Sequence, residues 1–261
     1  MKSVRQTVLA LAICAGLLST GCTPGVQSVS IASGTATQVV SHHAPWSPLL
    51  KALDKSETAA MYKMQTAVNI QNGNLHTSFT VYGTLQQPNM ASIQVHENNF
   101  NIAFYQQGQV AYQQDGTIWS PAQPVSNLNA YAGYRDVVEY AMAHHLPLEK
   151  MNRTYVVDEY CDVYRVVVPN GIVSLPAFLG GAPGASATEL SSHASEVAYV
   201  FYVGETSGYI RQIQTQSVGV VDSVGSLIMQ TTTIFQDIDN AQLAKVQIPV
   251  SLVQQLEQGV Q

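Results

Sequence analysis

Charge is what this chain has least of. Charged residues make up 11% of its 261 positions, while the apolar share is 46%; a usual globular protein carries about a quarter charged residues at a similar apolar content. Disorder of the high-charge kind is excluded. Eleven Lys and Arg against 17 Asp and Glu give a formal charge of −6. Binding a phosphate backbone needs clustered cations to displace counterions, so nucleic acid is not an expected partner. Cysteine is scarce too, at three residues, and no apolar run is long enough for a membrane-spanning helix, which needs about 20 residues. Catalytic signatures are also missing. There is no Gly-x-Ser-x-Gly elbow in the mature chain and no phosphate loop, and Gly180, Gly181 and Gly184 lack the flanking strand and helix of a dinucleotide site. An enzyme is not expected, and neither is a cofactor. Surface polarity comes instead from uncharged groups, above all 25 Gln.

What is present begins with a processing signal. Lys2 and Arg5 precede the apolar run Val8 to Leu18, which fits the h-region of a secretory signal. Leu18-Ser19-Thr20-Gly21-Cys22 follows and resembles the lipobox of bacterial lipoproteins, with Ser19 standing where the usual pattern has Leu. The resemblance implies a signal peptide over 1–21 and lipid attachment at Cys22. It also implies anchorage to the outer face of the bacterial cell membrane. The alternative is an ordinary signal-peptidase cut nearby and a free Cys22 thiol. Two or three acyl chains, at about 0.8 kcal/mol per buried CH₂, hold where one binds marginally. With Cys14 removed and Cys22 lipidated, Cys161 stands alone and no internal disulfide can form. Residues 22–45 read as a flexible Ser/Thr/Gly/Val tether with a reach of roughly 25 Å. A single domain over 46–261 follows.

Ser47-Pro48 reads as the start of a short helix, with Leu49, Leu50 and Leu53 on one stripe and its end near Glu57. The period then turns to alternation. Tyr62 to Ile70 and Leu75 to Tyr82 flank the turn Asn72-Gly73 as a hairpin. Strands at Met90 to His96, Phe100 to Gln106, Gln109 to Gln114 and Ile118-Trp119 extend a meander whose connections are too short for crossovers. Tyr134, Val137, Val138, Ala141, Met142 and His145 give one wide helical face, closed by Pro147. Strands resume at Thr154 to Asp158 and Cys161 to Val168. Asn170 to Ser195, rich in Gly and Pro, reads as a long loop. Val197 to Val203, Tyr209 to Ser217 and Leu227 to Gln236 return to hairpins, and Val246 to Pro249 is expected to finish the sheet. The sum is one domain of roughly ten antiparallel strands with a helix or two.

The closing strands Tyr199-Val200-Phe201-Tyr202-Val203, Thr206-Ser207-Gly208-Tyr209-Ile210-Arg211 and Thr231 to Asp237, taken with Gln247-Ile248-Pro249, the lipobox and the tether, carry a resemblance. It is to the LppX/LprAFG-like lipoproteins of Gram-positive bacteria, within the LolA/LolB-like superfamily. That resemblance covers about residues 46 to 249 and implies a mainly β (α+β) fold: an open, curved antiparallel half-barrel with one or two helices across the concave face. The Asn170 to Ser195 insertion lies outside the family's pattern. A sheet this wide must curl, and a helix covers the resulting apolar concavity incompletely. By parity Phe79, Val81, Ile93, Val95, Phe104, Tyr199, Phe201, Leu227, Met229 and Phe235 line it, joined by Val138 and Met142 of the helix. The same residues would equally serve as an ordinary packed core.

The remaining polar candidates are weak as chemistry. His144-His145 sits at a helix C-terminus, where imidazolium favours the dipole, and His42-His43 lies in the tether. Asp237-x-Asp239-Asn240 opens like a calcium loop but lacks the later Gly and Glu, which makes it a turn. Cys161 lies near Glu159 and Asp162, anions that raise a thiol's pKa. Two functions stay open. One is a tethered carrier of a lipid or other hydrophobic ligand, with the 170–195 loop gating access. The other is a module that senses a partner protein or envelope polymer, marked by exposed aromatics such as Trp46 or Trp119.

Overall fold

The computed structural model describes residues 44–97, 100–169, 194–221 and 225–258. The signal segment, Cys22, nearly all of the tether with His42-His43, and 170–193 of the expected long loop lie outside the described residues.

Eleven antiparallel strands form one sheet: β1 Met61–Asn72, β2 Leu75–Gln86, β3 Met90–Glu97, β4 Phe100–Gln107, β5 Val110–Asp115, β6 Ile118–Ala122, β7 Glu149–Val156, β8 Glu159–Pro169, β9 Ala194–Gly204, β10 Ile210–Val221 and β11 Gly225–Gln236. Their spatial order is β6-β5-β4-β3-β2-β1-β11-β10-β9-β8-β7. The chain thus meanders outward from β1 to one edge, crosses to the opposite edge at β7, and meanders back until β11 pairs with β1. The outermost strands, β6 and β7, do not pair with each other, so the barrel is open.

A twisted sheet of eleven strands curls. Ile93 on β3 and Val166 on β8, six strands apart in the sheet, belong to one buried apolar cluster that runs across its inner face. The cluster is closed from the concave side by α1 Ser47–Glu57 and α2 Ala132–Ala143. Leu49, Ala52 and Leu53 of α1 are buried, as are Tyr134, Val137, Val138 and Ala141 of α2. α2 belongs to the connection that carries the chain between the two edges.

Aromatic rings fix the lower end. The Tyr131 ring stacks on Phe235 at 4.1 Å between centroids, and Tyr62 meets both edge-on at 5.2 and 5.8 Å. Their hydroxyls are used: the Tyr62 hydroxyl accepts from the Ala130 N–H at 2.8 Å, and Tyr131 donates to the Ile210 carbonyl at 3.2 Å. Arg135 of α2 ties the helices together through Glu57 and Asp54. Glu159 braces the β9–β10 turn, accepting from Ser207 Oγ at 2.6 Å and from the Thr206 and Ser207 N–H groups. Burial would raise its carboxyl, but these bonds and the Arg211 guanidinium hold it below the usual range. A Cβ at position 204 would stand 2.5 Å from that carboxyl group and from the Ser207 hydroxyl, so a larger residue there would displace the brace.

The end of the chain departs from expectation. Val246 to Pro249 is not a strand; it is irregular, and the helix α3 Val250–Gln258 follows it. Val246 and Leu252 are buried against Tyr105 and Trp119 in a second, smaller cluster, on the convex side of β4–β6. Trp119 N–H donates to Gln255 Oε1 at 2.7 Å, and Gln255 Nε2 donates back to the Trp119 carbonyl at 2.6 Å. One amide side chain thereby stands in for a twelfth strand at the β6 edge. Leu252→Ala is expected to lower stability by about 2–4 kcal/mol and Gln255→Ala by about 1 kcal/mol in urea unfolding. A Leu252→Ala protein as stable as its parent would show that α3 adds nothing to the fold.

Candidate functional site

The concave face is built from alternate residues of every central strand. Across one row, Val81, Thr66, Thr233, Ile213, Phe201 and Tyr164 are cross-strand neighbours; the next row contains Phe79, Val68, Thr231, Thr215, Tyr199 and Val166. α1 packs over β9 and β10, and α2 over β8. Beneath them the face is sealed: Ile213, Tyr199 and Phe201 are fully buried, and Tyr134 of α2 meets the Tyr199 and Phe201 rings edge-on at 6.5 and 6.2 Å.

The N-terminal half of the same face is less covered. Ile70, Phe79, Val95 and Phe104 lie on one diagonal across β1 to β4 and are only half-buried, although they pack against the core. A second opening lies at the end of α2. It is a cleft of about 430 Å³ lined by Ala44, Trp46, Met142, His145, Leu146, Pro147 and Leu148. Apart from the imidazole its lining side chains are apolar or amphipathic.

Hydroxyls cross the middle of the sealed floor. Thr66 and Thr233 pair at 2.9 Å, and Thr215 and Thr231 at 2.6 Å; all four are buried, as is Ser217. The Tyr134 hydroxyl is buried above them beside Thr233, without a well-formed hydrogen bond among the described residues. Burial pushes its ionisation above the ordinary tyrosine range, so it stays neutral. Sequence parity alone had placed only the apolar members of this face. The threonines were legible as inward-facing, but nothing in the sequence marked them as paired.

Of the residues expected to line a groove, Val81, Ile93, Val138, Tyr199, Phe201, Met229 and Phe235 are brought together in the main core, and Phe79, Val95, Phe104 and Met142 pack partly exposed around it. Leu227 is on β11, but its side chain lies outside the described residues. Trp119 is a correction: it is 3% exposed and sits under α3, so it marks no contact surface. Trp46 is half-buried at the cleft.

The polar candidates are taken up by the fold. His144 caps α2, its Nδ1 2.9 Å from the Tyr140 carbonyl and its ring stacked on Tyr140 at 3.9 Å. Asp237 pairs with Lys63, and Asp239 accepts from the Ala60 N–H at 2.6 Å and from the Tyr209 hydroxyl at 2.6 Å. Among the described residues no three His, Cys, Asp or Glu side chains gather as a metal site. The Cys161 thiol is buried, and burial first, the Glu159 charge next, push it up to about 11.

No family model matches the chain, and no curated protein does. Among solved structures it is similar in fold to LprF from Mycobacterium bovis, at 10% identity over 78% of this chain and 95% of that one, with a TM-score of 0.44. It is also similar to a LolA superfamily protein from Nitrosomonas europaea, at 8% identity over 77% of this chain and 96% of that one, with a TM-score of 0.29. A third likeness is to the MucA/MucB complex of Pseudomonas aeruginosa, at 9% identity over 72% of this chain but only 56% of that one, with a TM-score of 0.32.

Two outcomes test this geometry. Tyr134→Phe removes a buried hydroxyl that lacks a well-formed hydrogen bond and should change stability by no more than about 1 kcal/mol, whereas Thr66→Val breaks the 2.9 Å pair with Thr233 and should cost about 1 kcal/mol, measured by denaturant unfolding. Alkylation with peptide mapping at pH 8 should leave Cys161 unmodified in the native protein and modify it fully in denaturant; rapid native labelling would contradict its placement.

Proposed function

We propose that the chain is an exported lipoprotein, anchored through Cys22, that holds a lipid or other hydrophobic ligand against the concave face of its half-barrel. The observation that carries this is the half-buried diagonal of Ile70, Phe79, Val95 and Phe104, continuous with the buried core yet left uncovered by α1 and α2. Water against such a wall is costly. Covering it with acyl chain returns about 25 cal/mol per Å² of apolar surface, so a ligand gains most of its affinity from shape and burial with few polar contacts. The cleft beside Met142 and Trp46 offers such a chain a second, largely apolar surface.

The test is native mass spectrometry of protein purified from its own host, combined with transfer of fluorescent phospholipid between vesicles. Bound lipid and transfer are expected. The double substitution Phe79→Gln, Val95→Gln should lower both about tenfold while urea unfolding remains cooperative. A monodisperse native protein that carries no lipid and moves none would overturn carriage.

A further inference from the structure

Burial along the concave face of β1, β2 and β3 falls off in one direction. On β1 the inward residues Tyr62, Met64, Thr66 and Val68 are at most 3% exposed, and Ile70, nearest the β1–β2 turn, is half-buried. On β2 Leu85 and Val81 are buried, whereas Phe79 and Thr77 are half-buried; on β3 Ala91 and Ile93 are buried and Val95 is half-buried. In each case the less covered residue lies toward the end of the sheet opposite the Tyr62, Tyr131 and Phe235 rings. β4 departs from this order, with Phe104 half-buried below a buried Ile102. Across the three strands beside the seam, the wall opens upward.

The lower end is closed by more than its rings. The Ile210 N–H donates to Ser56 Oγ of α1 at 2.9 Å, Asn129 Nδ2 donates to the Glu57 carbonyl at 2.9 Å, and Asp239 holds both the Ala60 N–H and the Tyr209 hydroxyl. The ion pairs of Lys63, Arg135 and Arg211 lie at this end as well. A guest lying lengthwise on the wall therefore emerges at the upper end.

The chain enters the domain at that same end. Antiparallel pairing carries the upper end from Asn72 through Leu227, Gly219, Ala194 and Pro169 to the start of β7. The Ala44 N–H donates to the carbonyl of Leu148, the residue before β7, at 2.9 Å. Trp46 meets Met142 and Leu146 across the cleft at the C-terminal end of α2. Residues 22–45, with a reach of roughly 25 Å, are thus rooted at the open end of the half-barrel.

We propose that the open end faces the bilayer holding the anchor, and that the ligand is an acyl lipid drawn directly from that bilayer. This rests on the carrier reading above and adds the source of the ligand and the end that admits it. Tethering keeps one lipid surface at a high effective concentration beside the opening. An acyl chain sliding from that surface onto Ile70, Phe79 and Val95 exposes fewer CH₂ groups to water than one arriving through solution.

The test uses the full acylated chain in phosphatidylcholine vesicles, with a phosphatidylcholine probe carrying a photoactivatable acyl chain. Crosslinks to the wall peptides of β1–β3 should be about tenfold more frequent when the probe is in the protein's own vesicles than in added protein-free vesicles. A fluorophore on Asn74→Cys, in the upper β1–β2 turn, should be quenched by spin-labelled headgroups of the anchoring vesicle, and one on Thr206→Cys, in the lower β9–β10 turn, should not. Equal crosslinking from both vesicle sources, wall crosslinks from detergent-dispersed probe alone, or quenching at Thr206→Cys as strong as at Asn74→Cys overturns the inference and leaves carriage standing. Wall crosslinks absent from every source, or Cys22 found unacylated by mass spectrometry, overturn the carrier reading and this inference together.

Discussion

The pairing of the first strand with the last is the constraint on which the rest of the molecule depends. β1 and β11 run in register from Lys63 opposite Gln236 to Asn72 opposite Leu227, and at their centre the hydroxyls of Thr66 and Thr233 meet although 167 residues separate them. Without that seam the chain would be two independent meanders, each with a bare apolar face. With it, the strands of both halves curl over one core, and α2, carried between opposite edges, lies inside the concavity. A contact closing so much chain is entropically expensive and slow to form. The ring cluster of Tyr62, Tyr131 and Phe235 sits at the same junction and holds it once made.

The seam also divides the concave face into two regimes. On the β8–β11 side the helices press directly on the sheet, and the Thr215 and Thr231 hydroxyls pair beneath them. On the β1–β4 side the same alternation of apolar residues continues, but among the described residues no helix completes it. The difference lies in where the crossing helix falls and not in composition: Phe201 on β9 and Phe79 on β2 both face inward, on opposite sides of the seam, yet one is fully buried and the other is not. A closed core and an available wall thus come from one sequence pattern.

Much of this was legible in the sequence. Alternation placed Tyr62, Met64, Thr66 and Val68 on one face, the Asn72-Gly73 turn set the first hairpin, and the spacing from Tyr134 to Met142 gave α2, because these signals are local. The resemblance added the open barrel. What failed was long-range. Val246 to Pro249 is apolar and extended enough to suggest a strand, and only the tertiary partner Trp119 reveals that it leads into a helix docked on an edge. Trp119 looked solvent-facing for the same reason, since α3 covers it from 132 residues away through Ser251. Which inward residues are sealed and which are half-open was invisible, because parity reports a face and says nothing of what lies over it.

The two margins of the sheet are protected by different means. At β6 the Gln255 amide occupies the hydrogen-bonding groups of Trp119; at β7 a register shift between Met151 and Thr154, together with exposed Lys150 and Arg153, spoils a regular ladder. An open barrel therefore keeps its backbone from serving as a template for neighbouring copies, and molecules crowded side by side on a surface would remain separate particles instead of fusing into a continuous fibre.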